Sequence, residues 1–145
     1  MKRTMIHQSL NILAGIAMLS TAMVTAPYTS LADEDTAAKI HQVAQDKLPN
    51  VPGKSITAIV VNYAPGGSSP KHHHAGSVLA YVLTGEIRSE NSATGAVRVY
   101  KAGESFFEPA GSTHLVSENA SKTEPASLLA IFVADDGAHL TTVDK

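Results

Sequence analysis

The sequence predicts an all-β fold, and three observations carry that expectation. At least six short segments beyond residue 53 are apolar and rich in β-branched residues. Gly and Pro recur between and within them, which suits corners where strands change direction. From residue 54 onward the local signals are all of the strand type. Short strands separated by turn residues argue for a β-sandwich or barrel.

The elements follow in chain order. Residues 1–32 read as a secretory signal peptide. Lys2 and Arg3 form a positive start, 10–24 is apolar, and Ser30-Leu31-Ala32 offers small residues at the two positions a signal peptidase reads. The apolar run is about 15 residues, short of the roughly 20 that span a bilayer. Asp33-Glu34-Asp35 then opens a polar stretch. Residues 33–145 are expected to form one domain. Segment 37–48 fits two patterns: Ile40, Val43 and Ala44 share a helical face, whereas Ile40, Gln42 and Ala44 alternate as in a strand. A Pro/Gly turn at 49–53 ends it. Strands are expected over 56–63, 78–87 (one run, with Gly85 inside it), 97–100, 105–108, 113–117 and 128–133. Asp135-Asp136-Gly137 is a turn signal, and His139 beyond it is assigned to a solvated tail.

Composition narrows the chemistry. The 145 residues carry 11 basic and 13 acidic side chains, a net charge of −2, which argues against a nucleic-acid partner. There is no Cys, so disulfides, thiolate metal sites and thiol nucleophiles are excluded. No Gly-rich phosphate loop, serine elbow or paired-carboxylate hydrolase site is evident. Seven histidines remain. His72, His73 and His74 are consecutive; in an extended segment His72 and His74 face one way and His73 the other. His114 opens a later strand. Two or three imidazoles on one face can ligate a metal, while a His run can equally be a solvated surface.

The spacings around these histidines favour the first reading. Gly66 is followed by five residues, then His72-His73-His74, then ten residues to Gly85. Gly103 is followed by five residues, Pro109-Ala110-Gly111, two more, and His114. This resembles the two signature motifs of the cupin superfamily over 66–119. The resemblance implies a jelly-roll barrel, the double-stranded β-helix, with metal ligands at His72, His74 and His114. Two positions depart from the motifs. The Glu of the first motif, the usual fourth ligand, is Val78 here, and the Asn of the second arrives one residue late, at Asn119. The carry-over therefore supports three histidines, with a more apolar wall at Val78 and the metal's full 2+ charge retained. Glu108, just before Pro109, either reaches inward or ends its strand in solvent, and the second is the expected role.

An exported three-His cupin of this kind implies an open divalent metal site (Fe, Mn, Zn, Ni or Cu) acting on a small organic molecule. Fe(II)-type dioxygenase chemistry on an anionic, chelating substrate leads. A non-catalytic metal- or small-molecule-binding cupin is the alternative. Tyr63, Tyr81 and Tyr100 are candidates to orient the substrate, although alternation from Val78 puts Tyr81 on the opposite face. The expected location is periplasmic or secreted, with no membrane attachment after leader cleavage. A homodimer is a family-level expectation.

Overall fold

The computed structural model describes residues 37–145; the expected leader, 1–32, lies outside them. Ten strands follow one another: β1 (Lys39–Lys47), β2 (Lys54–Tyr63), β3 (His72–His74), β4 (Ser77–Thr84), β5 (Glu86–Asn91), β6 (Gly95–Lys101), β7 (Ser105–Glu108), β8 (Thr113–Asn119), β9 (Ala126–Asp135) and β10 (Thr141–Val143). No helix occurs among the described residues. One sheet has the order β1-β2-β9-β4-β7 and the other β10-β3-β8-β5-β6. Every strand pair is antiparallel. The chain passes repeatedly from one sheet to the other, within the sandwich or barrel that the strand count and turns predict and in the jelly-roll arrangement that the cupin resemblance implies.

Period-two alternation builds the interior. On β4, Val78, Ala80 and Val82 are buried, while Leu79, Tyr81 and Leu83 are exposed. Register aligns these with the neighbouring strands, so Phe106, Ala80, Ala130 and Ile59 form one inward row across β7, β4, β9 and β2. The next row is Glu108, Val78, Phe132 and Thr57. Phe132, Ile87, Val78 and Val82 are the largest fully buried side chains. Each such burial is worth about 1.5–3 kcal/mol. The adjacent Phe106 and Phe107 divide as alternation requires, one inward and one half-exposed.

Two expectations change and one open alternative is settled. The apolar run 78–87 is two strands, not one. Gly85 separates them with φ of +68°, and a Cβ there would lie 2.7 Å from the Pro125 carbonyl oxygen. The break sends β4 and β5 into different sheets. Segment 37–48 resolves as strand β1, an edge exposed along its whole length. The tail assigned after His139 returns as β10, which pairs with the histidine strand β3. His139 itself is exposed, as expected.

Candidate metal centre

The histidine triplet forms β3, and its burial alternates as the extended reading requires: His72 and His74 buried, His73 half-buried. The antiparallel register sets His72 directly opposite His114 of β8. Their ring centroids are 5.0 Å apart, and those of His72 and His74 are 4.8 Å apart. One nitrogen from each of the three residues lies within 4.8 Å of the others, a grouping that can hold a metal ion. All three expected ligands are therefore brought together on the inner face of one sheet. His73 points away and bonds Asp144 through Nδ1 at 2.7 Å.

The hydrogen bonds around the rings suit a metal. His72 Nδ1 lies 2.7 Å from the Pro70 carbonyl, and His74 Nδ1 lies 3.1 Å from both the Leu140 carbonyl and Thr141 Oγ1. A carbonyl only accepts, so each Nδ1 carries the proton and each Nε2 keeps its lone pair. This is how outer partners usually fix metal-ligating imidazoles. His114 is turned the other way, with Nε2 2.9 Å from Ser89 Oγ and Nδ1 facing the site. A serine hydroxyl both donates and accepts, so it suits either tautomer of His114: Nδ1–H donating to Glu108 without an ion, or a bare Nδ1 that ligates one. Burial pushes the pKa of His72 and of His74 below the ordinary 6.5, which favours the neutral, ligating form. The donor set fits a divalent ion.

The sequence placed Glu108 at an exposed strand end, and the structure corrects this. Its side chain is 3% exposed. Oε2 lies 3.0 Å from His114 Nδ1, 3.9 Å from His74 Nε2 and 3.2 Å from Asn91 Nδ2. Burial alone would raise its pKa; the His114 hydrogen bond and the surrounding imidazoles outweigh that and hold it below the usual carboxylate value. A metal here would not face neutral neighbours only. The signal was present in alternation: once Phe106 faces inward, so does the residue two further on. Val78 is also corrected. It is buried in the core beside Glu108, and β4 lines the cavity with Ala80.

The histidines open into a cavity of about 150 Å³. Its wall is mostly apolar, with Ile59, Val61, Phe106, Leu128 and Phe132 prominent. Its uncharged polar groups include Tyr63, Ser69 and Ser117, whose hydroxyls form one cluster: Tyr63 Oη is 2.9 Å from Ser69 Oγ and 2.8 Å from Ser117 Oγ. Two hydrogen bonds join three hydroxyls, so the cluster has one O–H to spare. Burial raises the Tyr63 pKa, keeping it a neutral phenol. Tyr81 is on the outer face, 42% exposed, and Tyr100 packs on Phe106 outside the cavity lining. Lys71 is largely exposed beside Asp144, and Glu86 is half-exposed near Lys101. Asn119 is buried and structural, its amide donating to the Ala64 and Glu124 carbonyls.

Comparison with known proteins agrees with this fold. The family model described as "Cupin domain" matches residues 59–132. Germin-like protein subfamily 2 member 2 of Arabidopsis thaliana is 33% identical over 91 residues, which cover 60% of this chain and 41% of that protein. The chain thus spans about two fifths of that curated relative. Among solved structures, recombinant oxalate oxidase in complex with glycolate is 22% identical with a TM-score of 0.58, over 77% of this chain and 57% of that one. DMSP lyase DddQ from Ruegeria pomeroyi is 22% identical with a TM-score of 0.52, over 61% and 42%. A double-stranded β-helix protein from Klebsiella pneumoniae is 21% identical with a TM-score of 0.59, over 78% and 90%. These structural likenesses concern the fold.

Proposed function

The chain belongs to the cupin-domain family, and from that premise we propose that it is an exported metal-dependent enzyme. It would hold a divalent ion on His72, His74 and His114 and oxidise a small organic anion with dioxygen. The observation that carries this reading is the cavity itself. Three buried imidazoles, two of them with tautomers fixed by outer carbonyls, share one face and open into a largely apolar pocket. A closed structural metal site needs no such space, whereas a catalytic site keeps positions open. The ion, when bound, would supply Lewis-acid or redox chemistry at those positions.

The chain's own residues define the substrate. A cavity of about 150 Å³ suits a molecule about the size of benzene and excludes flavonoid-sized compounds. No Lys or Arg lines it, so an anionic group is drawn to the ion and has no competing cation. The spare O–H of the Tyr63 cluster can donate to a carbonyl or carboxylate oxygen. The apolar wall limits water. Oxalate oxidase and DMSP lyase, two solved proteins of similar fold, are named for small organic substrates, which supports the size class and not an identity. Imidazole donors follow the order that favours copper, nickel and zinc over iron and manganese, so the ion loaded outside the cytoplasm depends on supply. The leader at 1–32 supports export to the periplasm or beyond.

The test is direct. The protein is loaded separately with Fe(II), Mn(II), Cu(II), Ni(II) and Zn(II), and oxygen uptake is recorded with short dicarboxylates, 2-oxo acids, diketones and thiols. Turnover with one class, lost in His72→Ala, supports the enzyme. A filled metal site that binds small anions without turnover supports the second reading, a binding cupin. The near absence of polar groups beyond the hydroxyl cluster and Glu108 favours that second reading.

A further inference from the structure

We propose that Glu108 is a fourth protein ligand of the metal centre, a carboxylate moved one strand sideways from the position where the family motif carries it. This rests on the metal-binding reading above and adds a residue that the motif does not predict.

The argument begins in the register. Position 78 of β4 and position 108 of β7 are direct cross-strand partners, and both side chains point inward. Partners in an antiparallel pair have Cα atoms about 4.5–5.5 Å apart, a distance within reach of a Glu side chain. Val at 78 with Glu at 108 therefore moves a carboxylate between adjacent places on one sheet wall. That wall faces the sheet that bears the three histidines. The barrel needs no other rearrangement.

Distances support ligation. Donors each about 2.1 Å from one ion stand about 3.0 Å apart at a right angle and about 3.9 Å apart at a wide one. Glu108 Oε2 lies 3.9 Å from His74 Nε2, which keeps its lone pair, and 3.0 Å from His114 Nδ1, whose proton an ion would displace. Asn91 Nδ2 holds the same oxygen from outside at 3.2 Å, as ligating carboxylates are commonly held. Charge points the same way. Glu108 is the one acidic residue among the cavity-lining residues, and an ion ligated only by neutral imidazoles would bury two positive charges in a largely apolar wall at high cost. An added carboxylate oxygen also shifts the donor set toward manganese and iron.

The experiment measures Co(II) and Mn(II) dissociation constants by chelator competition, with folding followed by circular dichroism. Wild type should bind one ion, and Glu108→Gln should bind it at least tenfold more weakly. The double variant Glu108→Val/Val78→Glu, which returns the carboxylate to the motif position, should recover to within about threefold of wild type. Equal affinity in wild type and Glu108→Gln overturns the proposal. So does weakening that the double variant fails to restore, which would assign Glu108 to orienting His114 only. Should Glu108→Gln not fold, the wild-type protein still decides: Zn(II) binding should shift one Glu carboxylate stretch in the infrared difference spectrum, and an unchanged carboxylate region overturns the assignment. If wild type binds no ion while the fold is intact, the three-His reading itself fails. Loss confined to Glu108 variants leaves that reading standing.

Discussion

Ser89 shows how much one hydroxyl can decide. It bonds His114 Nε2 inside the barrel, where neither group meets water. Ser89→Ala leaves a buried ring nitrogen without its partner and frees the imidazole to rotate. Removing an outer partner of this kind typically costs 10- to 100-fold in metal affinity, and that loss is expected by chelator competition. His73→Ala should keep wild-type affinity, because that ring faces Asp144 outside the site; an equal loss there would contradict the alternation on β3. Tyr63→Phe removes the centre of the hydroxyl cluster and leaves two serines without that bond. Buried hydroxyls left unpaired cost about 1–3 kcal/mol, so its urea midpoint should fall. Its metal affinity should hold, because Tyr63 is not among the grouped ligands. Ser89→Ala and Tyr63→Phe thus separate the metal site from the wall of the cavity.

Single strands differ in how far their residues announce them. The central strands β2, β4 and β9 bury one face and carry the alternation that burial imposes, so they were legible. Strand β1 buries neither face. With no core to select its pattern, Ile40 and Val43 fit helix and strand alike, and only pairing with β2 decides. Strand β10 has three residues and owes its place to β3, a long-range pairing that no local pattern encodes. Yet it positions a candidate ligand, since Leu140, just before β10, and Thr141 hold His74 Nδ1, and Thr141 and Val143 line the cavity. Ending the chain after His139 should therefore weaken metal binding more than tenfold while leaving the far-ultraviolet strand signal almost unchanged. A truncated protein with full affinity would show that β10 does not position the site. Gly85 acts at the same scale. Gly85→Ala forces a Cβ onto the Pro125 carbonyl at a positive φ, and the joint between β4 and β5 should lose about 1–3 kcal/mol.

Across the whole molecule, the grouping of His72, His74 and His114 was legible because fixed spacings mark them, whereas the burial of Glu108 was not. Its burial depends on His114, His74 and Asn91, which lie on three other strands, and a Glu before Pro looks like a solvent-facing strand end. The same interior makes stability depend on pH. In the folded chain burial holds His72 and His74 below 6.5, and the imidazole environment holds Glu108 below 4.5. Unfolding returns all three to their ordinary values. As pH falls through about 6.5, the unfolded chain takes up protons on two imidazoles that the folded chain leaves neutral, so unfolding becomes easier. Below about 4.5 Glu108 adds a loss of the same sign. The contribution is full above 6.5 and declines steadily beneath it, by at most about 1.4 kcal/mol per pH unit for each group. Metal-free protein should accordingly show equal urea midpoints at pH 8 and 7.5 and lower ones at 6 and 5. His74→Asn removes one of the two buried imidazoles and should flatten the descent between 6.5 and 5. Bound metal steepens it, because protons then compete with the ion for the same nitrogens. A metal-free midpoint that stays constant from pH 7.5 to 5 would mean that these rings are not buried neutral, and the tautomers that point their lone pairs at the ion would lose their basis.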